Sequence, residues 1–250
     1  MNIKLENRDM LGYKFSNNER IYFSSILSGV LSSFHDTARF LDSEQIRITN
    51  NPHAKTPIYY SRTNNNLPFD LVVLNCSGFS YWCQVIYQLS HELAHCTISH
   101  MNEGCYTCST SWIEETICEA TSLYSLRWFS ENWDSVFLSK LTPAYSKNIE
   151  TYLVDILTKK GTNRLSNCKS IYELEEINRT SAEMREDRRN EMKWLYTLLG
   201  GNGLFALFSY RKFIMPGTII LDTVSYSSAF QSIDAVQYLC SLQDRILLRS

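Results

Sequence analysis

Excess charge, long apolar runs and histidine are all scarce in this chain of 250 residues. Acidic and basic side chains nearly cancel, 26 against 24, for a net charge of -2. Without a basic excess there is no electrostatic case for nucleic acid or anionic lipid as the main partner. No uncharged apolar stretch approaches the roughly 18–20 residues of a bilayer-spanning helix. The longest late run, Leu198 to Tyr210, is interrupted by glycines and stops at Arg211-Lys212. A secretory leader is not expected either. The first twenty residues mix both charge signs, and the run from Ile21 to Phe34 is serine-rich with no small-residue cleavage site. A cytoplasmic protein with no membrane and no nucleic-acid partner is therefore the expectation. Repeats and low-complexity tracts are missing as well. Histidine is the rarest informative residue, confined to His35, His53, His91, His95 and His100.

What the chain does contain, 44% apolar and 13% aromatic residues, is the makeup of a folded globular protein. Its eight cysteines, in a long chain without a leader, read as reduced thiols rather than a disulfide framework. Six of them crowd between Cys76 and Cys118.

Periodicity predicts an α+β, mostly helical fold. Phe23, Ile26, Leu27, Val30, Leu31, Phe34, Ala38 and Leu41 recur at helical spacing. Gln45 to Thr49 alternates like a short strand. Pro57 to Arg62 and Asp70 to Cys76 are β-branched or aromatic runs around the turn-rich Thr63 to Pro68, which predicts an antiparallel hairpin. A helix is then expected from about Ser80 to Met101, with Trp82, Val85, Ile86, Leu89 and Leu93 as its apolar stripe. A second helix starts near Ser111 and runs past Leu126. Later helices are expected over Trp133–Lys159, Ile171–Leu199 and Ser232–Arg249, with a linker at Gly161–Ser170. The dense charges of residues 171–194 read as a solvated helix face. The division expected is a core at residues 1–130 and a helical C-terminal part at 131–250.

The segment that carries chemistry is His91-Glu92-Leu93-Ala94-His95. Residues four apart share one helix face, so both imidazoles of HExxH reach one cation. Glu92 sits about 100° around from His91, near enough to contact a water on that cation. Gln84, Gln88, His91 and His95 form a polar stripe offset from the apolar one, so the histidines are expected to face a cleft.

The third ligand decides the class. HExxHxxGxxH would need Gly and His where this chain has Ile98 and Met101, and His100 is one residue out of register. The alternative is a glutamate about twenty residues past the second histidine on another helix. Trp112-Ile113-Glu114-Glu115-Thr116-Ile117-Cys118-Glu119-Ala120 supplies three. Ser111 to Glu114 reads as a capping box, which occupies Glu114. Glu115, 20 positions after His95, is assigned as third ligand. Glu119, one turn on, is assigned as the carboxylate that holds the free nitrogen of a ligand histidine.

HELAH followed by EExxCE resembles the gluzincin metallopeptidases, the group that holds thermolysin and the gluzincin aminopeptidases. WIEETICEA is similar to the aminopeptidase segment WLNEGFA, and Glu115-xxx-Glu119 to the thermolysin-type ExxxD. The hairpin also fits the resemblance, because such enzymes bind the substrate backbone along an edge strand about thirty residues before the first histidine. The likeness covers roughly residues 55–130. It implies a catalytic zinc on His91, His95 and Glu115, Glu92 as general base, and a peptide bound by β-augmentation near Pro57–Arg62. It also implies a Tyr or His donor for the oxyanion. No histidine follows His100, so the donor is sought among tyrosines, with Tyr106 chosen ahead of Tyr124, Tyr145 and Tyr152. No G-x-M-E-N-like exopeptidase signature is present. The alternative to a zinc-dependent peptidase is a zincin-like scaffold that binds a protein partner without cleaving it.

A second metal set is readable in the crowded cysteines. Cys96 and His100 are four apart on the face away from His91 and His95, followed by Cys105 and Cys108 as CxxC. These four suit a structural zinc; buried thiols and a redox pair are the competing readings.

Overall fold

The computed structural model describes residues 3–41, 45–105 and 110–248. It is α+β and mostly helical, with one small sheet. Backbone packing divides it into two units rather than at one cut near residue 130. Met1–His100 and Thr121–Ile156 form the first; Met101–Ala120 and Leu157–Ser250 form the second.

The first unit opens with strand β1 (Ile3–Leu5), helix α1 (Asn17–Ser33) and strand β2 (Ile46–Asn50). Strand β3 (Ile58–Tyr60), the short helix α2 (Arg62–Asn65) and strand β4 (Asp70–Leu74) follow. The sheet order is β1-β2-β4-β3, so β3 lies at an edge. The expected hairpin is present, since β3 pairs antiparallel with β4. The sheet as a whole is mixed, because β1 and β2 pair in parallel, as do β2 and β4. A parallel neighbour needs a crossover, and α1 supplies it between β1 and β2. Three-residue β1 is too short to show a period in the sequence.

Serine and glutamate set the start of α1: Ser16 and Glu19 form a capping box. The apolar stripe runs on to Leu41, but the α-helix ends at Ser33 and gives way to a 3-10 stretch, His35–Leu41. Phe23, Ile26 and Val30 of α1 are buried, as are Ile46 and Ile48 of β2 and Val72, Val73 and Leu74 of β4.

Helix α3 (Trp82–Met101) carries HExxH, and its apolar stripe, Trp82, Val85, Ile86, Leu89 and Leu93, is buried as expected. Helix α4 (Ser111–Glu131) follows. The continuous helix expected from Trp133 is instead three 3-10 turns and then α5 (Ser146–Thr158). Pro143 forces part of this break, since proline disfavours helical backbone before it and lacks an amide proton. Here Trp82, Trp133 and Tyr145 pack ring to ring at 4.6–5.9 Å.

In the second unit the first half of α4 is fixed by its neighbours. Trp112 is fully buried, its amide donates to Asn178 Oδ1 at 3.1 Å and its indole to Ile219 O at 3.3 Å. The unit continues with α6 (Ile171–Thr180), α7 (Arg189–Leu198), α8 (Gly201–Phe208), α9 (Thr223–Ala229) and α10 (Asp234–Leu247). Residues 181–188 split the helix expected over Ile171–Leu199. The apolar run near Leu198 becomes α8, with Leu204, Leu207 and Phe208 buried. Among the described residues no helix is long and apolar enough to cross a membrane.

Candidate metal centre

Helix α3 is held against the end of β4 by its own polar stripe. Gln88 Oε1 accepts from the Asn75 amide at 2.8 Å, and its Nε2 donates to Asn75 O at 2.9 Å. Gln84 Nε2 donates to the same carbonyl at 3.2 Å. The two glutamines of the polar stripe are therefore clamps, and they fix the rotation of the helix one and two turns before the histidines.

His91 and His95 follow on that face. His91 and Glu92 are buried, 4% and 3% exposed. The two Nε2 atoms lie 3.2 Å apart, with the rings edge to face at 4.9 Å. Nitrogens at about 2.0–2.1 Å from a tetrahedral zinc stand roughly 3.3 Å apart. The observed spacing fits, and it also suits an N–H···N bond between imidazoles of opposite tautomer.

On α4, Glu115 and Glu119 are one turn apart. His91 and His95 lie in the first unit and Glu115 in the second. Two imidazoles and a carboxylate are the donor set of an open zinc site.

Two arginines that the sequence reading left on a solvated face meet these carboxylates. Arg188 is 1% exposed, and its Nη2 lies 3.2 Å from Glu115 Oε2 and 3.8 Å from Glu119 Oε1. Arg185 Nε lies 3.2 Å from Glu119 Oε1. Asp187 and Glu191 of the same segment are buried too. Only the burial pattern reveals this, because a dense charge run carries no period that separates a buried arginine from a solvated one. The helix begins at Ser111, with the Thr110 carbonyl accepting from the Ile113 and Glu114 amides, so Thr110 rather than Ser111 stands at the N-cap, and Glu114 has a tertiary role. Its Oε2 accepts from Tyr210 Oη at 2.5 Å and from Arg211 Nη2 at 2.6 Å. Burial outweighs the other influences on the Tyr210 phenol and holds it well above its ordinary pKa, with Glu114 reinforcing the shift.

Of the oxyanion candidates, Tyr106 lies outside the described residues. Tyr124 Oη is 2.8 Å from His35 Nε2. Tyr145 and Tyr152 line a cavity of about 510 Å³ with Tyr81, Cys83 and Gln84, two turns before His91 on α3. Burial pushes the Tyr145 phenol upward, and Cys83 reinforces the shift.

The second predicted set falls partly outside the described residues. Cys105 is exposed, and Cys108 lies outside the described residues. Cys96 and His100 group instead with Asp70, which spacing along the chain had not signalled. Cys118 is buried, as expected of a core thiol. No family model, no curated protein and no solved structure matches this chain.

Proposed function

We propose that the chain is a zinc-dependent peptidase of gluzincin type, with His91, His95 and Glu115 as metal ligands. The observation that carries this reading is the pair of imidazoles on one face of α3, whose Nε2 atoms lie 3.2 Å apart. Zinc held there would acidify a water toward neutral pH and polarise the scissile carbonyl. Glu92, on the turn between the two histidines, takes the proton from the attacking water and passes it to the leaving amine. Its low exposure shields that transfer from bulk solvent. Glu119 holds a ligand imidazole, while Arg185 and Arg188 balance the two carboxylates.

The peptide lies along β3. Its outer edge offers backbone donors and acceptors for β-augmentation, and Ile58 and Tyr60 are 40% and 37% exposed. Among the tyrosines, Tyr106 remains the assigned oxyanion donor.

The deciding experiment is chelator-sensitive cleavage of a peptide library, run on wild type and Glu92→Gln. Glu92→Gln is expected to keep its zinc and lose turnover by at least about a hundredfold, in line with removal of a general base. Identical product profiles from the two proteins would reject the mechanism. Zinc-loaded wild type that cleaves nothing yet captures a protein would favour the scaffold.

A further inference from the structure

We propose that Asp70, Cys96 and His100 form a second metal site, a buried O/S/N centre for zinc or a similarly borderline-soft divalent ion. It lies wholly within the first unit, pins the last turns of α3 to the start of β4, and does not rest on the peptidase reading. The ligand atoms of the three residues lie within 4.8 Å of one another. Cys96 and His100 are one turn apart on α3 and so share a face. Asp70, the first residue of β4, is fully buried, as is Cys96.

The two carboxylate oxygens of Asp70 have different surroundings. Oδ1 accepts from Tyr59 Oη at 2.9 Å and from the Arg62 amide at 2.9 Å. Oδ2 lies 3.0 Å from His100 Nε2. A carboxylate oriented by two donors on one oxygen, with the other beside an imidazole, is held as ligating carboxylates are held. Thiolate with imidazole and carboxylate selects zinc-like ions over magnesium or calcium. Three protein ligands leave a fourth position for water.

Two other readings of the cluster fit less well. A nucleophilic Cys–His–Asp arrangement needs a thiol that substrate can reach, and Cys96 is fully buried. A simple histidine–aspartate ion pair gives no role to the Cys96 thiol.

The test loads the full-length protein with cobalt(II) and reads the sulfur-to-cobalt charge-transfer absorption. His91, His95 and Glu115 contain no sulfur, so this signal cannot come from them. Wild type is expected to show the band. Cys96→Ser should lose it together with one bound equivalent, and Asp70→Asn should weaken cobalt binding at least roughly tenfold. The band should survive in the paired His91→Ala/His95→Ala variant and in Cys105→Ser/Cys108→Ser. Wild type without the band, a band that persists in Cys96→Ser, or a band lost with Cys105 and Cys108 would each overturn the site. The wild-type and Cys105→Ser/Cys108→Ser spectra decide even if Cys96→Ser does not fold. A band present in a protein whose His91 and His95 bind nothing would sink the first site and leave this one standing.

Discussion

Arg188 shows how a single side chain controls the chemistry of its neighbours. A guanidinium at 1% exposure is retained because Glu115, Glu119 and the backbone carbonyls of Ser181 and Met184 together compensate its desolvation. Arg188→Met leaves those carboxylates without their buried cation, and breaking such a pair costs about 3–5 kcal/mol. Urea unfolding should show that loss. Arg185→Ala, at a side chain 34% exposed, should cost less than about 1 kcal/mol. Arg188→Met should also lower zinc affinity by about 10–100-fold, because the carboxylate of Glu115 is no longer oriented. Equal midpoints for the two variants would remove Arg188 from this role. At this scale the pairing of His91 with His95 on one face of α3 was legible, since helical spacing encodes it. Arg188 and Asp70 were not, because each meets its partners only through tertiary folding.

Elements are decided by close approach and by caps. Gly29 sits on α1 where a Cβ would come within 2.3 Å of the Phe129 ring of α4. Alanine would gain about 1 kcal/mol of helix propensity there, but Phe129 is fully buried and has little room to yield. Overpacking of this kind costs about 1–3 kcal/mol, so Gly29→Ala is expected to lower the unfolding midpoint in spite of the propensity gain. A raised midpoint would show that the ring moves freely. Helix α9 offers a pH-dependent counterpart. Asp222 caps it, and hydrogen bonds from the Ser225 side chain and amide hold its carboxyl below the ordinary 3.8. A depressed carboxyl contributes stability that is present above the unfolded value and lost as pH falls through the folded one. The stability difference between wild type and Asp222→Asn should therefore be constant near neutral pH and shrink only below about pH 4. Long, strongly periodic α3 and α4 were readable from sequence, as was the β3–β4 hairpin. Three-residue β1 and the 3-10 turns of residues 133–145 were not, because neither spans enough residues to set a period.

For the whole molecule, the proposed metal sites would link metal binding to stability. An ion that binds only the folded chain adds RT ln(1 + [L]/Kd), about 4 kcal/mol at a thousandfold excess over Kd. Zinc is thus expected to raise the thermal midpoint and a chelator to lower it. His95→Ala removes a proposed ligand and should lose that part of the increment tied to the first group, while Cys96→Ser should lose the part tied to the second. Glu92→Gln occupies a different position in this logic. Its carboxylate is assigned to proton transfer rather than to the ion, so the variant should keep the full zinc increment while losing turnover. Zinc titration followed by calorimetry on the three variants separates these roles without an identified substrate. An increment missing from Glu92→Gln would make Glu92 a ligand, and the general base would then have to be sought elsewhere on α3 or α4.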